Sequence, residues 1–295
     1  MTLCFAFGDV GDDSKGRLGM GLPLLGGAPA EEVLDSAKAA GNLGAFSLWS
    51  AGAAVAGWAR VDPGQDLEGA ALRVYGDLFR AVGTRHLFRI WNCVPKINRE
   101  NRQGLENYRA FCKGRSHAFE AAFGQGFARR LPASTAVGTQ EDILTVAFLA
   151  GDKPVQHVEN PAQIPAYEYP PEHGPRPPSF ARASVVERDG RLDVFVSGTS
   201  AITGHATVAP HDTGGQLDRT LENLSLVFQT CGLGPGGARH IKVYLRRPGD
   251  FPSVSREIQS RLLGPGDRIT YLCSDICRAA LNVEIEVSVR GAMKS

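Results

Sequence analysis

One run of motifs occurs twice in this chain, and that repetition constrains the fold more than any other feature. Gly83-Thr84-Arg85-His86 opens the apolar run Leu87-Phe88-Arg89-Ile90-Trp91, and Gly237-Ala238-Arg239-His240 opens Ile241-Lys242-Val243-Tyr244-Leu245. The two openings lie 154 residues apart (237 − 83). Upstream, Ser50-Ala51-Gly52-Ala53-Ala54-Val55-Ala56-Gly57 pairs with Ser197-Gly198-Thr199-Ser200-Ala201-Ile202-Thr203-Gly204 at an offset of 147 (197 − 50). A shared order of segments at a nearly constant offset marks a duplicated domain. Two related halves create a pseudo-symmetric interface, where diverged copies can build a single site.

The 295 residues suit two domains of about 100–200 residues each. With 32 Lys+Arg against 31 Asp+Glu, composition forces no basic face, so neither nucleic acid nor an anionic membrane is expected as a partner. No apolar run approaches the ~18–20 residues of a membrane-spanning helix, and Met1 to Phe7 lacks the charged-then-apolar pattern of a signal peptide. The six cysteines show no CxxC spacing and read as reduced thiols of a cytoplasmic protein.

Residues 8–30 are rich in Gly and Asp without periodicity and read as an irregular lead-in. Within it, Gly11-Asp12-Asp13-Ser14-Lys15-Gly16 is a solvated segment rather than a phosphate loop. Phe46 to Val61 predicts a strand hairpin, Leu67 to Val82 a helix with Leu72, Tyr75, Leu78 and Phe79 on its apolar face, and Arg85 to Val94 a strand. Leu105 to Phe123 predicts a second helix, and Ile143 to Leu149 a closing strand. Nine prolines and tyrosines between Pro161 and Pro178 forbid a helix and predict an extended connector. Asp189-Gly190 between Val185-Val186 and Leu192-Val194 signals a hairpin. A helix follows through Leu217, Leu221, Leu224 and Val227, stopped by Gly232. His240 to Arg246 is a strand, Asp250 caps a last helix, and Ile269 to Cys273 and Leu281 to Val289 are the closing strands. Each half reads β-β-α-β-α-β, an α+β layer with an antiparallel-rich sheet and helices on one face. The expected division is residues 1–150, a connector 151–178, and residues 179–295.

The final strand alternates cleanly. Leu281, Val283, Ile285, Val287 and Val289 share one face, and Asn282, Glu284, Glu286 and Ser288 share the other. A carboxylate on a strand beside a domain interface is a candidate general acid, because burial raises its pKa. By pattern alone, a solvated polar face is the more usual reading. Gly232, Gly234 and Gly237 match a dinucleotide-binding spacing, but they follow a helix and precede a strand, the reverse of the order that motif needs. Cys112 and His117 share a helix at a spacing that points them apart, and the seven histidines form no metal-ligand cluster. Neither a metal nor an organic cofactor is expected.

Val194 to His205 (VFVSGTSAITGH), Lys242-Val243-Tyr244-Leu245 and the ending Val283-Glu284-Ile285-Glu286-Val287 resemble the RidA (YjgF) fold, which is also chorismate-mutase-like. In that family the first Glu of the closing strand lies in the interfacial pocket, and it matches Glu284. A narrower resemblance covers nearly the whole chain. Phe88-Arg89-Ile90-Trp91-Asn92, Tyr108 to Arg115 (YRAFCKGR), Leu131 to Gly138 (LPASTAVG), Glu159-Asn160-Pro161, Pro178 to Ala183 (PSFARA) and Ile276-Cys277-Arg278 look like the chorismatase family.

That resemblance implies two tandem RidA-like domains, a divergent first one and a second carrying the acid. It implies chorismate as a small-molecule substrate and a monomer or RidA-like trimer. Protonating the enolpyruvyl methylene of chorismate gives an oxocarbenium-like centre, after which pyruvate leaves. One branch adds water and yields a dihydroxycyclohexadiene carboxylate; another rearranges to 3-hydroxybenzoate; a third also gives 4-hydroxybenzoate. Glu284 is the expected acid. Arg115 and Tyr169 are the first candidates for the dianion cradle, followed by Arg182 and Tyr108, with an ion pair and helix packing as their structural alternatives. Cys277 matches the 3-hydroxybenzoate branch, although a small buried hydrophobe is an equally good account of it. Ser200 departs from the Ala or Gly the family tends to carry there, and with Ala201 it is expected to touch substrate; its hydroxyl could hold a hydrolytic water. The favoured product is 3-hydroxybenzoate plus pyruvate. An imine or enamine hydrolase of RidA type and a non-catalytic metabolite-binding module are the rival readings.

Overall fold

Short strands stand where an irregular lead-in is expected. The computed structural model describes residues 1–8, 16–234 and 236–295. In it the chain opens with β1 (Leu3–Ala6), β2 (Arg17–Gly19), β3 (Leu24–Gly27) and β4 (Ala30–Leu34). β1 pairs in parallel with β2 and antiparallel with β4. Strands of three to five residues are too short for a period-two pattern to be read from sequence. Residues 11–15 of the solvated segment lie outside the described residues.

The first half continues with β5 (Lys38–Leu43), β6 (Phe46–Ala51), β7 (Ala54–Val61), α1 (Leu67–Val82), β8 (His86–Pro95), α2 (Asn107–Phe123), β9 (Ala133–Thr139) and β10 (Leu144–Gly151). α1 starts where the Asp66 carboxylate accepts the Gly69 N–H, and it stops at Gly83 with φ 60°. Its buried face is Ala70, Ala71, Val74, Tyr75 and Leu78; Leu72, expected on that face, is 40% exposed. α1 and α2 approach closely at Gly114, where a Cβ would stand 2.1 Å from the Glu68 carbonyl oxygen. β9 is a strand that the six-element pattern omits. It runs parallel to β8 after the α2 crossover, while β10 inserts between β7 and β8.

The second half comprises β11 (Val155–Val158), β12 (Ala183–Arg188), β13 (Arg191–Thr199), the small hairpin β14 (Ile202–Thr203) and β15 (Ala206–Thr207), α3 (Thr213–Thr230), β16 (Ala238–Leu245), α4 (Phe251–Arg261), β17 (Arg268–Cys273) and β18 (Val283–Met293). Asp189 and Gly190 both have positive φ, 51° and 75°, which is the turn the β12–β13 hairpin requires. The connector is not purely extended: β11 pairs with β12, and two single 3₁₀ turns, Ala166–Glu168 and Pro171–His173, interrupt it. Proline suits the start of such turns because its φ is already set.

The order β6-β7-β10-β8-β9 in the first sheet repeats as β12-β13-β18-β16-β17 in the second, so the duplication is real in the fold. The upstream motif match is fortuitous. Ser50 to Gly57 spans the β6–β7 turn, whereas Ser197 to Gly204 runs off the end of β13 into β14. Shared small residues, not a shared position, explain that similarity. The two sheets pack face to face through Trp49, Trp58, Phe88, Trp91, Cys93, Phe195, Tyr244 and Leu272. α1 and α2 cover the outer face of the first sheet, and α3 and α4 that of the second, giving α/β/β/α layers. β3 crosses the sequence division to pair with β17 at the far edge of the second sheet, and β11, from the connector, extends the near edge.

Candidate active site

β18 lies between β13 and β16, so both its edges are paired. Val283, Ile285, Val287 and Val289 pack toward the helices, and the polar face turns to the other sheet. That face is not solvated. Glu284 is 3% exposed and Glu286 1%, because the solvent side expected for a single sheet is occupied by the first half.

The two carboxylates have opposite surroundings. Glu286 receives Arg89 Nη2 at 2.7 Å, Trp91 Nε1 at 3.0 Å and Lys242 Nζ at 2.5 Å. Burial works against its charge, yet Lys242 and Arg89 hold it down at about 2. Lys242 also contacts Glu31 on β4 at 2.5 Å, closing a buried network of two cations and two anions. Glu284 has no salt-bridge partner among the described residues. Burial and the neighbouring Glu286 charge push it up to about 8, against the opposing pull of Ser200, Arg89 and Arg182. At neutral pH it is a carboxylic acid with a proton to give. Gly198 on β13 makes room for it, since a Cβ there would lie 2.1 Å from Glu284 Oε1.

Glu284 borders a cavity of about 510 Å³ that also meets Tyr108, Tyr169, Phe180, Arg182, Ser200, Cys277 and Arg278. A deeper recess of about 30 Å³ joins Glu284, Tyr108 and Cys277 to Arg115, Ser134 and Thr135. Five sequence candidates thus line the main cavity with the acid, and Arg115 lines its deep end. Ala201 does not reach it; the residue is fully buried against Ile202, Ile276 and Leu281.

Arg115, on α2, is 1% exposed and makes no salt bridge among the described residues. Its guanidinium sits 5.0 Å over the Phe111 ring, with Cys112 Sγ at 4.0 Å, and its Nε has no hydrogen-bond partner. A buried guanidinium without a carboxylate is costly unless an anion completes it. Arg182 donates to the Tyr169 hydroxyl at 2.8 Å and to the Ile164 carbonyl at 3.2 Å, with Glu159 3.9 Å away. Burial pushes Glu159 up to about 7 despite Arg182.

Ser200 Oγ lies 3.0 Å from the Val283 carbonyl and 3.2 Å from Glu284 Oε2. Its hydroxyl thus touches both the acid and the backbone of β18. Cys277 is half-buried, and burial together with Glu284 pushes its thiol up to about 12, so it is present as the neutral thiol. The loop carrying it is wrapped around Arg246, which donates to the carbonyls of Ile276, Arg278 and Leu281 and pairs with Asp275.

Arg278 enters the sequence reading only as the last residue of a motif. It lines the cavity 5.3 Å over the Tyr169 ring, donates to the His205 carbonyl and Thr207, and makes no salt bridge among the described residues. Its adjacency to Cys277 is the signal that could have found it. The histidine expectation needs correction: His173 and His205 come together with Glu172, because the connector folds against the β14–β15 turn. No sequence spacing links positions so far apart. All six cysteines are unpaired, and no described helix is long and apolar enough to cross a membrane.

The fold defines a duplicated α+β protein with a cavity enclosed between its halves. Residues 33–150 match the family described as chorismatase FkbO/Hyg5-like, N-terminal. A Streptomyces hygroscopicus protein named 3-hydroxybenzoate synthase is 40% identical over 71% of this chain and 65% of its own length, so the match spans slightly less than two thirds of that relative. A Streptomyces rapamycinicus protein named chorismatase is 38% identical over 78% of this chain and 72% of its own length. A chorismatase crystal structure superposes with a TM-score of 0.80 at 29% identity, over 98% of this chain and 92% of that one. The chain belongs to the chorismatase family.

Proposed function

We propose that the protein converts chorismate to 3-hydroxybenzoate and pyruvate, with Glu284 as the general acid. The observation that carries this reading is a buried carboxyl held neutral to about pH 8 beside guanidinium groups that lack carboxylate partners. Chorismate brings two carboxylates and a vinyl ether whose methylene carbon must be protonated. Arg115 at the deep end and Arg278 in the main cavity supply two unneutralised cations for that dianion, and Arg182 with Tyr169 supplies further donors.

The Glu284 proton goes to the methylene carbon, and the ring hydroxyl beside the ether closes onto the ether-bearing ring carbon as that C–O bond breaks, so pyruvate leaves with the ether oxygen. The three-membered ring reopens with the oxygen kept on the former ether carbon, that carbon loses its hydrogen as a proton to make the ring aromatic, and the Glu284 carboxylate can take that proton back. No water is consumed: every carbon, hydrogen and oxygen of chorismate leaves in either hydroxybenzoate or pyruvate. The internal branch is preferred over the hydrolytic one on two grounds. The single Ser200 O–H proton is directed at Glu284 or Val283, and the neutral Cys277 thiol faces the same cavity. The relative bearing the 3-hydroxybenzoate synthase name is consistent with this choice.

Incubation with chorismate, followed by pyruvate assay and chromatography of the aromatic products, tests the proposal. Equal amounts of pyruvate and 3-hydroxybenzoate are expected. Pyruvate with only the diene diol would overturn the branch, and no pyruvate would overturn the reaction.

A further inference from the structure

At the cavity entrance stands a group of side chains that the proposed chemistry leaves unused. Glu172 and His173 end the 3₁₀ turn Pro171–His173 of the connector, and His205 sits in the turn between β14 and β15. His173 Nε2 lies 3.0 Å from His205 Nδ1, and Glu172 Oε1 lies 3.4 Å from each of them. The three donor atoms form a nearly equilateral triangle.

Hydrogen bonding explains only one side of that triangle. Two facing imidazole nitrogens share one proton, and a carboxylate oxygen at 3.4 Å from both lies outside the usual N–H···O range of about 2.7–3.2 Å. A metal ion accounts for the two carboxylate sides as they stand, and for the third once the imidazole nitrogens, now 3.0 Å apart, open by a few tenths of an ångström. Bonds of about 2.0–2.2 Å at near-tetrahedral angles place neighbouring donor atoms roughly 3.3–3.6 Å apart. Both rings are already oriented: His173 packs 5.2 Å and His205 6.5 Å from the Tyr169 ring, and Arg278 fixes the His205 carbonyl at 2.8 Å.

We infer that Glu172, His173 and His205 form a binding site for a divalent transition-metal ion of the zinc class at the mouth of the cavity. Two imidazoles and one carboxylate suit zinc or cobalt, whereas magnesium and calcium require oxygen ligands in larger number. The bound ion clasps the connector to the β14–β15 turn and leaves a fourth position for water. It supplies no step of the proposed reaction, and the inference stands on geometry independent of that reaction.

The test uses the whole chain, stripped with chelator and titrated with Zn²⁺ in competition with a chromogenic indicator. One ion per chain is expected, with affinity falling at least tenfold in His173→Ala and in His205→Ala. His86→Ala, at an exposed histidine opening β8, should bind like the parent. Co²⁺ should give the visible absorption of a four-coordinate site in the parent and lose it in the double variant. Metal-free melting curves confirm that the variants are folded. Absence of stoichiometric Zn²⁺ binding by the parent, or unchanged affinity in both folded single variants, would reduce the trio to a hydrogen-bonded histidine pair.

Discussion

Gly198 and Glu284 occupy facing positions on adjacent strands so close that only a residue without a side chain fits: a Cβ on Gly198 would stand 2.1 Å from the carboxyl oxygen. The proposed acid is thus placed by a missing group as much as by its hydrogen bonds. Gly198→Ala should displace the Glu284 carboxyl by a fraction of an ångström to an ångström. Misplacement on that scale costs roughly 10²-fold in rate. The measurement is kcat for pyruvate release on protein whose circular dichroism matches the parent; unchanged kcat would show that the carboxyl position is not critical.

Glu284→Gln should lower pyruvate release by about 10²–10⁴-fold, the usual range for losing a general acid. In the parent, kcat/KM should fall as pH rises through about 8, because the acid must be protonated to act. Ser200→Ala removes a hydrogen bond that favours the charged form, so its descending limb should move to higher pH. A limb that stays put or moves down would exclude Ser200 as a tuning group.

The same shift has a stability sign. The folded carboxyl titrates at about 8, above its ordinary 4.5, so the unfolded chain releases this proton first and stability falls as pH rises between those values. Glu284→Gln should therefore melt above the parent at pH 9, with the gap closing toward pH 5. Equal melting temperatures at pH 9 would mean that Glu284 is not held neutral.

Arg115→Ala should cut kcat/KM by roughly 10- to 150-fold, corresponding to a charge-assisted hydrogen bond worth about 1.5–3 kcal/mol. Arg115→Lys should recover only part of this, since a point charge cannot reproduce two parallel donors. Full activity of the lysine variant would reduce the contribution to charge alone.

Cys277→Ala or Cys277→Val should shift product from 3-hydroxybenzoate toward the diene diol while chorismate consumption continues. Both exits leave one cation, and about 1.4 kcal/mol between them changes their ratio tenfold. Product ratios by chromatography decide it; an unchanged ratio would assign Cys277 to packing.

What the sequence discloses follows from how local each signal is. The Asp189-Gly190 hairpin and α1 are readable because turn chemistry and helical spacing act within a few residues. The alternation of β18 exposes Glu284 and Glu286 as a pair on one face, but not that this face is buried, which depends on a sheet made elsewhere in the chain. The Glu31–Lys242–Glu286–Arg89 network draws on four strands, and Glu31 sits at the edge of the segment that reads as an irregular lead-in. Pairings of that kind leave no periodicity. Ala201 shares a motif with its neighbour Ser200, although adjacent residues here point to different sides.

The pairing of β3 with β17 joins Gly27 to Thr270 across 243 residues (270 − 27). During synthesis, β3 waits, its edge unpaired, until β17 has been made 243 residues later. β18, with the candidate acid, is made later still. A chain that stops short of β18 holds neither the closed second sheet nor Glu284, so such a truncated or stalled product would carry Arg115 without the group it is positioned to serve. Activity should appear only once β18 has been made, in a single step rather than half by half.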